Sequence, residues 1–383
     1  KPFAGFIAID QREGGNRMIR LLDAAGTSIP VKADESAYRM TLDVNEEPDT
    51  PWVRYTYGSL VTPTTTYEVN AKTGERRVLK VAPVPGYDPA NYVTERVWAT
   101  ARDGTKIPVS LVYKKGVKRD GTAPLFQYAY GSYGSSTDPS VDPGRIGLLD
   151  RGVVYAIAHI RGGQEMGRQW YDDGHLLKKK NSFTDFIDVT RDLVARGYAA
   201  KDRVAGYGGS AGGLLMGAVA NMAPQDYRVI LSQVPFVDVI NTMSDTSLPL
   251  TPPEWPEWGN PIEDAAAYDY MMSYSPYDQV EAKAYPAVLA TGGLSDPRVT
   301  YWEPEKWVAK LRPATTSGKP VLLKINAVFG IDVQLFSEDE EARLITELRD
   351  SLAEAPEPIS LAEIRELATN MPAVARTLIG IQR

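Results

Sequence analysis

The chain has 383 residues, 43% of them apolar, with 49 acidic against 42 basic side chains and a net charge of −7. That is enough apolar material for one large or two moderate cores, and the acidic balance argues against nucleic acid or an anionic membrane as partner. There is no cysteine, no apolar run approaching the roughly 20 residues that span a bilayer, and no signal peptide in Lys1-Pro2-Phe3-Ala4-Gly5, a combination that points to a reducing, cytoplasmic setting. The chain opens without Met, as a fragment or a processed product does.

Residues 1–82 read as β structure. Strand-like runs at 6–9, 18–22, 52–57 and 65–69 are separated by turn residues such as Gly14-Gly15-Asn16 and Lys72-Thr73-Gly74, a spacing that suits blades of a propeller or part of a sandwich. Pro83-Val84-Pro85-Gly86-Tyr87-Asp88-Pro89 reads as a linker. From Tyr92 onward strands alternate with helices. Runs at 109–113, 125–130, 153–158, 229–234, 287–291 and 321–325 have strand character, and helical spacing appears at 181–197 and 304–311. Such alternation predicts a mostly parallel sheet covered on both faces, with the site at the carboxyl ends of its strands.

Between two of these runs lies Val204-Ala205-Gly206-Tyr207-Gly208-Gly209-Ser210-Ala211-Gly212-Gly213. Gly208, Ser210 and Gly212 form G-x-S-x-G, which presents a serine hydroxyl on a strained turn from strand to helix. The glycines are needed because a side chain at either flank would collide with the neighbouring elements. The helix start behind Ser210 aims the Ala211 amide at a developing oxyanion. A triad on such a fold runs Ser, then Asp or Glu, then His. Asp296 follows the 287–291 run and is the candidate acid, although Asp296-Pro297 would also suit a simple turn. The histidine belongs after 321–325, and none is there: the chain holds only His159, at the end of a buried strand, and His175, in a polar loop.

Residues 92–326 resemble the catalytic domain of the prolyl oligopeptidase family, in its oligopeptidase B branch. The resemblance is carried by Tyr128-Ala129-Tyr130-Gly131-Ser132-Tyr133-Gly134, Arg161-Gly162-Gly163-Gln164-Glu165-Met166-Gly167, Trp170-Tyr171-Asp172-Asp173-Gly174, Lys178-Lys179-Lys180-Asn181-Ser182-Phe183, the serine motif, Glu257-Trp258-Gly259-Asn260-Pro261 and Tyr301-Trp302-Glu303-Pro304. Residues 1–80 are similar to the last propeller blades that precede this domain. The resemblance implies an α/β-hydrolase fold and a serine peptidase working through an acyl-enzyme without cofactor or metal. Ser210 would be the nucleophile, Asp296 the acid, and Tyr130 with the Ala211 amide the oxyanion donors. Arg298 would hold a substrate carbonyl. Cleavage after Arg or Lys is implied by acidic pocket residues, since a carboxylate binds a guanidinium through charge-assisted hydrogen bonds. Glu254 matches one of these acids. The second position is Pro256, with Glu257 beside it as the stand-in. Asp138 matches a further subsite acid, whose companion is replaced by Ser140. The implied partners are short peptides with Arg or Lys.

The family's histidine sits in a Gly-His-Gly loop that this chain lacks. Hydrolysis is therefore expected to be impaired, because a serine without its base is a weak nucleophile. The alternatives are a non-catalytic binding or assembly module on the hydrolase scaffold and an esterase-like activity on small activated esters. The resemblance stops at about Asn326 and does not extend into residues 327–383. A capping box at Ser337-Glu338-Asp339-Glu340 and apolar residues at helical spacing from Leu344 to Leu352 and from Ile359 to Met371 predict a tail of amphipathic helices. Such a tail, or exposed strand edges in the first segment, would support self-association.

Overall fold

A computed structural model describes residues 1–326 and the backbone of 332–334. The helices expected in the tail, and self-association through them, lie outside the described residues.

The first segment forms a seven-stranded sheet. Phe6–Glu13, Asn16–Asp23 and Ser28–Pro30 make one antiparallel group, and Tyr38–Leu42, Trp52–Ser59, Thr65–Asn70 and Arg76–Val81 make a four-stranded antiparallel meander. A single parallel pairing, Arg17 with Arg39, joins the two. Period-two patterning drives the meander: Val53, Tyr55 and Tyr57 are buried while Arg54 between them is exposed. They pack with Ile19 and Met40 in a core of their own. Tyr38–Leu42 and Arg76–Val81 were missing from the sequence reading. Arg76–Val81 is an outer strand exposed along most of its length, with no apolar alternation to mark it.

The linker carries no strand, and Tyr92–Thr100 begins a second sheet of nine strands. Leu125–Tyr128 pairs in parallel with Val154–Ala158 on one side and Val204–Gly209 on the other. Val229–Gln233, Ala287–Gly293 and Val321–Asn326 continue the parallel series. The edges are antiparallel, with Tyr92–Thr100 and Lys106–Lys114 at one end and Asp332–Gln334 at the other. Both faces are covered. Leu111, Ala156 and Ile230 face the helices Lys180–Ala195, Ala211–Met222 and Trp302–Ala314, whereas Val112, Tyr155 and Leu231 pack against Leu148 and Leu149 of Pro143–Asp150 and against Leu60 and Val61 of the first segment.

The helix expected at 181–197 is Lys180–Ala195. Gly197, in the left-handed region at φ 77°, ends it as only glycine does cheaply. Its start carries no side-chain cap, contrary to the expectation from the polar residues there.

Candidate active site

Strand Val204–Gly209 runs into Ser210, whose φ of 56° and ψ of −117° are followed directly by helix Ala211–Met222. A non-glycine residue in this region stores about 1–3 kcal/mol of strain, so neighbours must hold it. Ser210 N donates to the Gln233 carbonyl at 2.8 Å, and the Ser210 carbonyl accepts from Gly213 N at 2.8 Å and Leu214 N at 3.1 Å. A Cβ on Gly208 would lie 2.2 Å from the Gly212 carbonyl oxygen, and one on Gly212 would lie 2.9 Å from the Ala129 carbonyl oxygen. Backbone cannot yield to either, which is why both positions are glycine. Ala211 is the first residue of the helix, where amide N–H groups have no acceptor inside the helix.

Ser210 borders a cleft of about 300 Å³ lined by Tyr130, Tyr133, Phe236, Met243, Glu254 and Arg298 among others. Tyr130 and Ser210 line the cleft together; burial and the carboxylates of Glu254 and Glu257 raise the Tyr130 pKa above the ordinary tyrosine value. Glu254 lies on helix Thr251–Trp258. Its Oε2 accepts from the Tyr133 hydroxyl at 2.8 Å and from the Trp258 indole N–H at 2.9 Å. Oε1 has no partner among the described residues. Arg298, Val299 and Thr300 belong to the loop after strand Ala287–Gly293. Asp296 opens that loop, its Oδ1 accepting from Arg298 N at 2.8 Å and Val299 N at 3.1 Å. One oxygen thus makes the turn, and Oδ2 stays free among the described residues.

The cleft therefore unites Ser210, Tyr130, Glu254 and Arg298, with Ala211 and Asp296 adjoining in sequence. Two expected acids stand elsewhere. Glu257 is 4% exposed, and it is occupied: Oε1 accepts from Tyr133 N at 2.9 Å and Oε2 from the Tyr171 hydroxyl at 2.6 Å. It does not line the cleft. Asp138 is held in a two-pronged ion pair by Arg12 of the first sheet, at 2.7 and 2.9 Å, and does not line the cleft.

Neither histidine lines the cleft with Ser210. His159 is buried, its Nε2 sharing a 2.7 Å hydrogen bond with the Ser110 hydroxyl, and burial lowers its pKa. His175 stacks on Tyr171 with ring centres 4.3 Å apart. The sequence reading missed Tyr133, Phe236, Met243 and the Leu248–Pro249–Leu250 wall of the cleft. Tyr133 alone carried a usable signal, as the large residue of a Gly-Ser-Tyr-Gly turn; it sits at φ 59°.

The chain matches known proteins along most of its length. The family model described as the prolyl oligopeptidase family matches residues 139–328, and that for the prolyl oligopeptidase N-terminal β-propeller domain matches 1–82. Among curated relatives, a dipeptidyl aminopeptidase BI from Pseudoxanthomonas mexicana is 62% identical over 329 residues, covering 86% of this chain and 45% of that protein. A protease 2 from Moraxella lacunata is 48% identical over 326 residues, covering 85% and 47%. Among solved structures, oligopeptidase B from Leishmania major superposes with a TM-score of 0.78 at 40% identity, over 92% of this chain and 50% of that one. The chain thus spans about half the length of the relatives it matches. With a strained serine turn on an α/β-hydrolase sheet, preceded by propeller-type strands, it belongs to the prolyl oligopeptidase family of serine peptidases.

Proposed function

We propose that this chain carries the catalytic half of a serine oligopeptidase that acts on peptides after Arg or Lys. The observation that supports this best is the shared cleft: Ser210 and Tyr130 border it together with Glu254, whose carboxylate has one oxygen without a partner among the described residues. A substrate's cationic side chain would meet Oε1 of Glu254, while its scissile carbonyl lay over Ser210. The Ser210 oxygen would attack the carbonyl carbon, its proton passing to the departing amine as the C–N bond breaks, and water would later cleave the acyl ester, returning a proton to the Ser210 oxygen. The developing oxyanion would take hydrogen bonds from the Ala211 amide and the Tyr130 hydroxyl. Arg298 would hold a substrate carbonyl from the rim. With Glu257 occupied and Pro256 at the other expected position, one carboxylate reads the cation, so Arg and Lys should be accepted with little discrimination.

Asp296 keeps Oδ2 available for an imidazole that this chain does not contain at the matching place. Loss of a triad histidine lowers kcat on the order of 10⁶-fold, so this chain should bind substrates far better than it turns them over. Labelling of Ser210 by a fluorophosphonate, with Ser210→Ala as control, tests the nucleophile. Fluorogenic arginyl and lysyl peptides with free and with blocked N-termini test the specificity, since one relative is named a dipeptidyl aminopeptidase. Tight binding of arginyl peptides with slow turnover is expected. Rapid turnover would refute the impairment, and absence of binding would refute the substrate class.

A second reading, a module for assembly, draws on outer strand Arg76–Val81, where Val78, Leu79 and Val81 are 56%, 44% and 53% exposed. Unpaired apolar strand edges promote association. A monodisperse monomer in size-exclusion chromatography would count against it.

A further inference from the structure

The turn that follows Tyr130 is held by a charge pair that takes no direct part in acyl transfer. Gly131, Tyr133 and Gly134 have φ of 72°, 59° and 62°, so three of its four residues lie in the left-handed region, and tyrosine there is strained. Such a turn needs outside support. Lys179, 1% exposed, supplies it: Nζ donates to the Gly131 carbonyl at 2.6 Å, the Ser132 hydroxyl at 2.6 Å and the Gly174 carbonyl at 3.2 Å. Glu257 holds the other end by accepting from Tyr133 N at 2.9 Å. The two charges lie 3.9 Å apart, and Lys179 sits over the Trp258 ring at 5.1 Å. Trp258 in turn donates to Glu254. Burial pulls the Lys179 ammonium down to about 8, with Glu257 opposing, so it remains charged at neutral pH.

We infer that Lys179 and Glu257 are a buried positioning pair that sets Tyr130 and Tyr133 through one turn, and thereby couples the oxyanion site to the carboxylate of Glu254. Tyr130 directly precedes the turn and lines the cleft beside Ser210. Tyr133 lies within it and holds Glu254 Oε2. Lys179 and Glu257 touch neither the cleft nor the nucleophile; they act through the two tyrosines. This inference rests on reading the cleft as a basic-residue site. Glu257, expected from the sequence as a substrate contact, is here a support of the turn.

The test uses the full chain with Lys179→Met, Glu257→Gln and the double variant, each checked for folding by circular dichroism. Three quantities are read: benzamidine affinity by calorimetry, which reports Glu254; the fluorophosphonate labelling rate of Ser210, which reports Tyr130; and hydrogen exchange of segment 130–134. Removing a charged hydrogen-bond partner should weaken benzamidine roughly tenfold, slow labelling and speed exchange. The double variant should lose little more than either single one, because both act through the same turn. Folded variants with faster exchange but unchanged affinity and labelling would overturn the inference, since the pair would then be merely structural. Loss of only one of the two functional readouts would overturn the coupling. If Lys179→Met does not fold, Glu257→Gln decides, as it leaves the lysine's three oxygen partners in place. Wild-type protein that binds no benzamidine would refute the basic-residue reading alone, with labelling and exchange still judging the pair.

Discussion

Replacing Glu254 by Gln should do more harm to the recognition of cationic ligands than simple removal of a charge. In the structure Oε2 already satisfies two donors, the Tyr133 hydroxyl at 2.8 Å and the Trp258 N–H at 2.9 Å. A glutamine can keep both only by placing its carbonyl oxygen there. Its amide N–H₂ then takes the place of Oε1 and points donors at an arriving ammonium or guanidinium. A charge-assisted hydrogen bond contributes about 1.5–3 kcal/mol. Because Glu254 is only half-buried, screening favours the lower end, or roughly a tenfold loss of affinity. Glu254→Ala loses the same bond but adds no opposing donor, so affinity should fall in the order wild type, Ala, Gln. The assay is calorimetric titration with an arginyl dipeptide and its citrullyl counterpart, which has nearly the same shape without the charge. Wild-type protein should prefer the arginyl ligand, and the preference should vanish in Glu254→Gln. An arginyl-to-citrullyl ratio that survives the substitution would refute the reasoning, because the cleft would then be reading charge through another group.

Glu303 gives a pH-dependent prediction. It is 1% exposed and accepts from Val237 N at 2.7 Å, Asp238 N at 2.9 Å and the Thr242 hydroxyl at 2.5 Å, tying down the segment that carries Phe236, Thr242 and Met243 into the cleft. Burial lifts its pKa from 4.5 to about 7. Between those values the folded state keeps a proton that the unfolded chain has released, so this contribution to stability is present at low pH and is lost as pH rises through about 7. In urea unfolding at about pH 5 and about pH 8, the gap between wild type and Glu303→Gln should therefore change with pH. A gap independent of pH would exclude Glu303 as the titrating group. Gly208→Ala tests the serine turn. Its Cβ would stand 2.2 Å from the Gly212 carbonyl oxygen, an overlap that only backbone movement relieves. The cost should be about 3 kcal/mol, or roughly 6–12 °C in the thermal midpoint; an unchanged midpoint would show that the turn relaxes.

What could be read from the sequence was whatever depends on neighbours along the chain. The serine turn is specified by glycines two residues to either side, and the dense run ending at Ala158 becomes a strand buried along its whole length. The acids were legible only as acids. Asp138 meets Arg12 across 126 positions, and Glu257 meets Tyr133 N and Tyr171 across 124 and 86, so nothing local tells an occupied carboxylate from Glu254, whose Oε1 has no partner among the described residues. Lys179 shows the same limit with opposite sign. In the run Lys178-Lys179-Lys180, like charges in sequence suggest a solvated face, and the Lys178 side chain is indeed 55% exposed. Its neighbour is 1% exposed, because the chain enters helix Lys180–Ala195 beside a turn whose carbonyl oxygen and hydroxyl need a donor. Burying that ammonium is tolerable only where a carboxylate and several oxygens await it. Those partners come from residues 131–132, 174 and 257, and only the closed fold brings them together. The nucleophile is thus a property of a short segment, whereas the alignment of the groups around it depends on contacts across most of the catalytic sheet's length of chain.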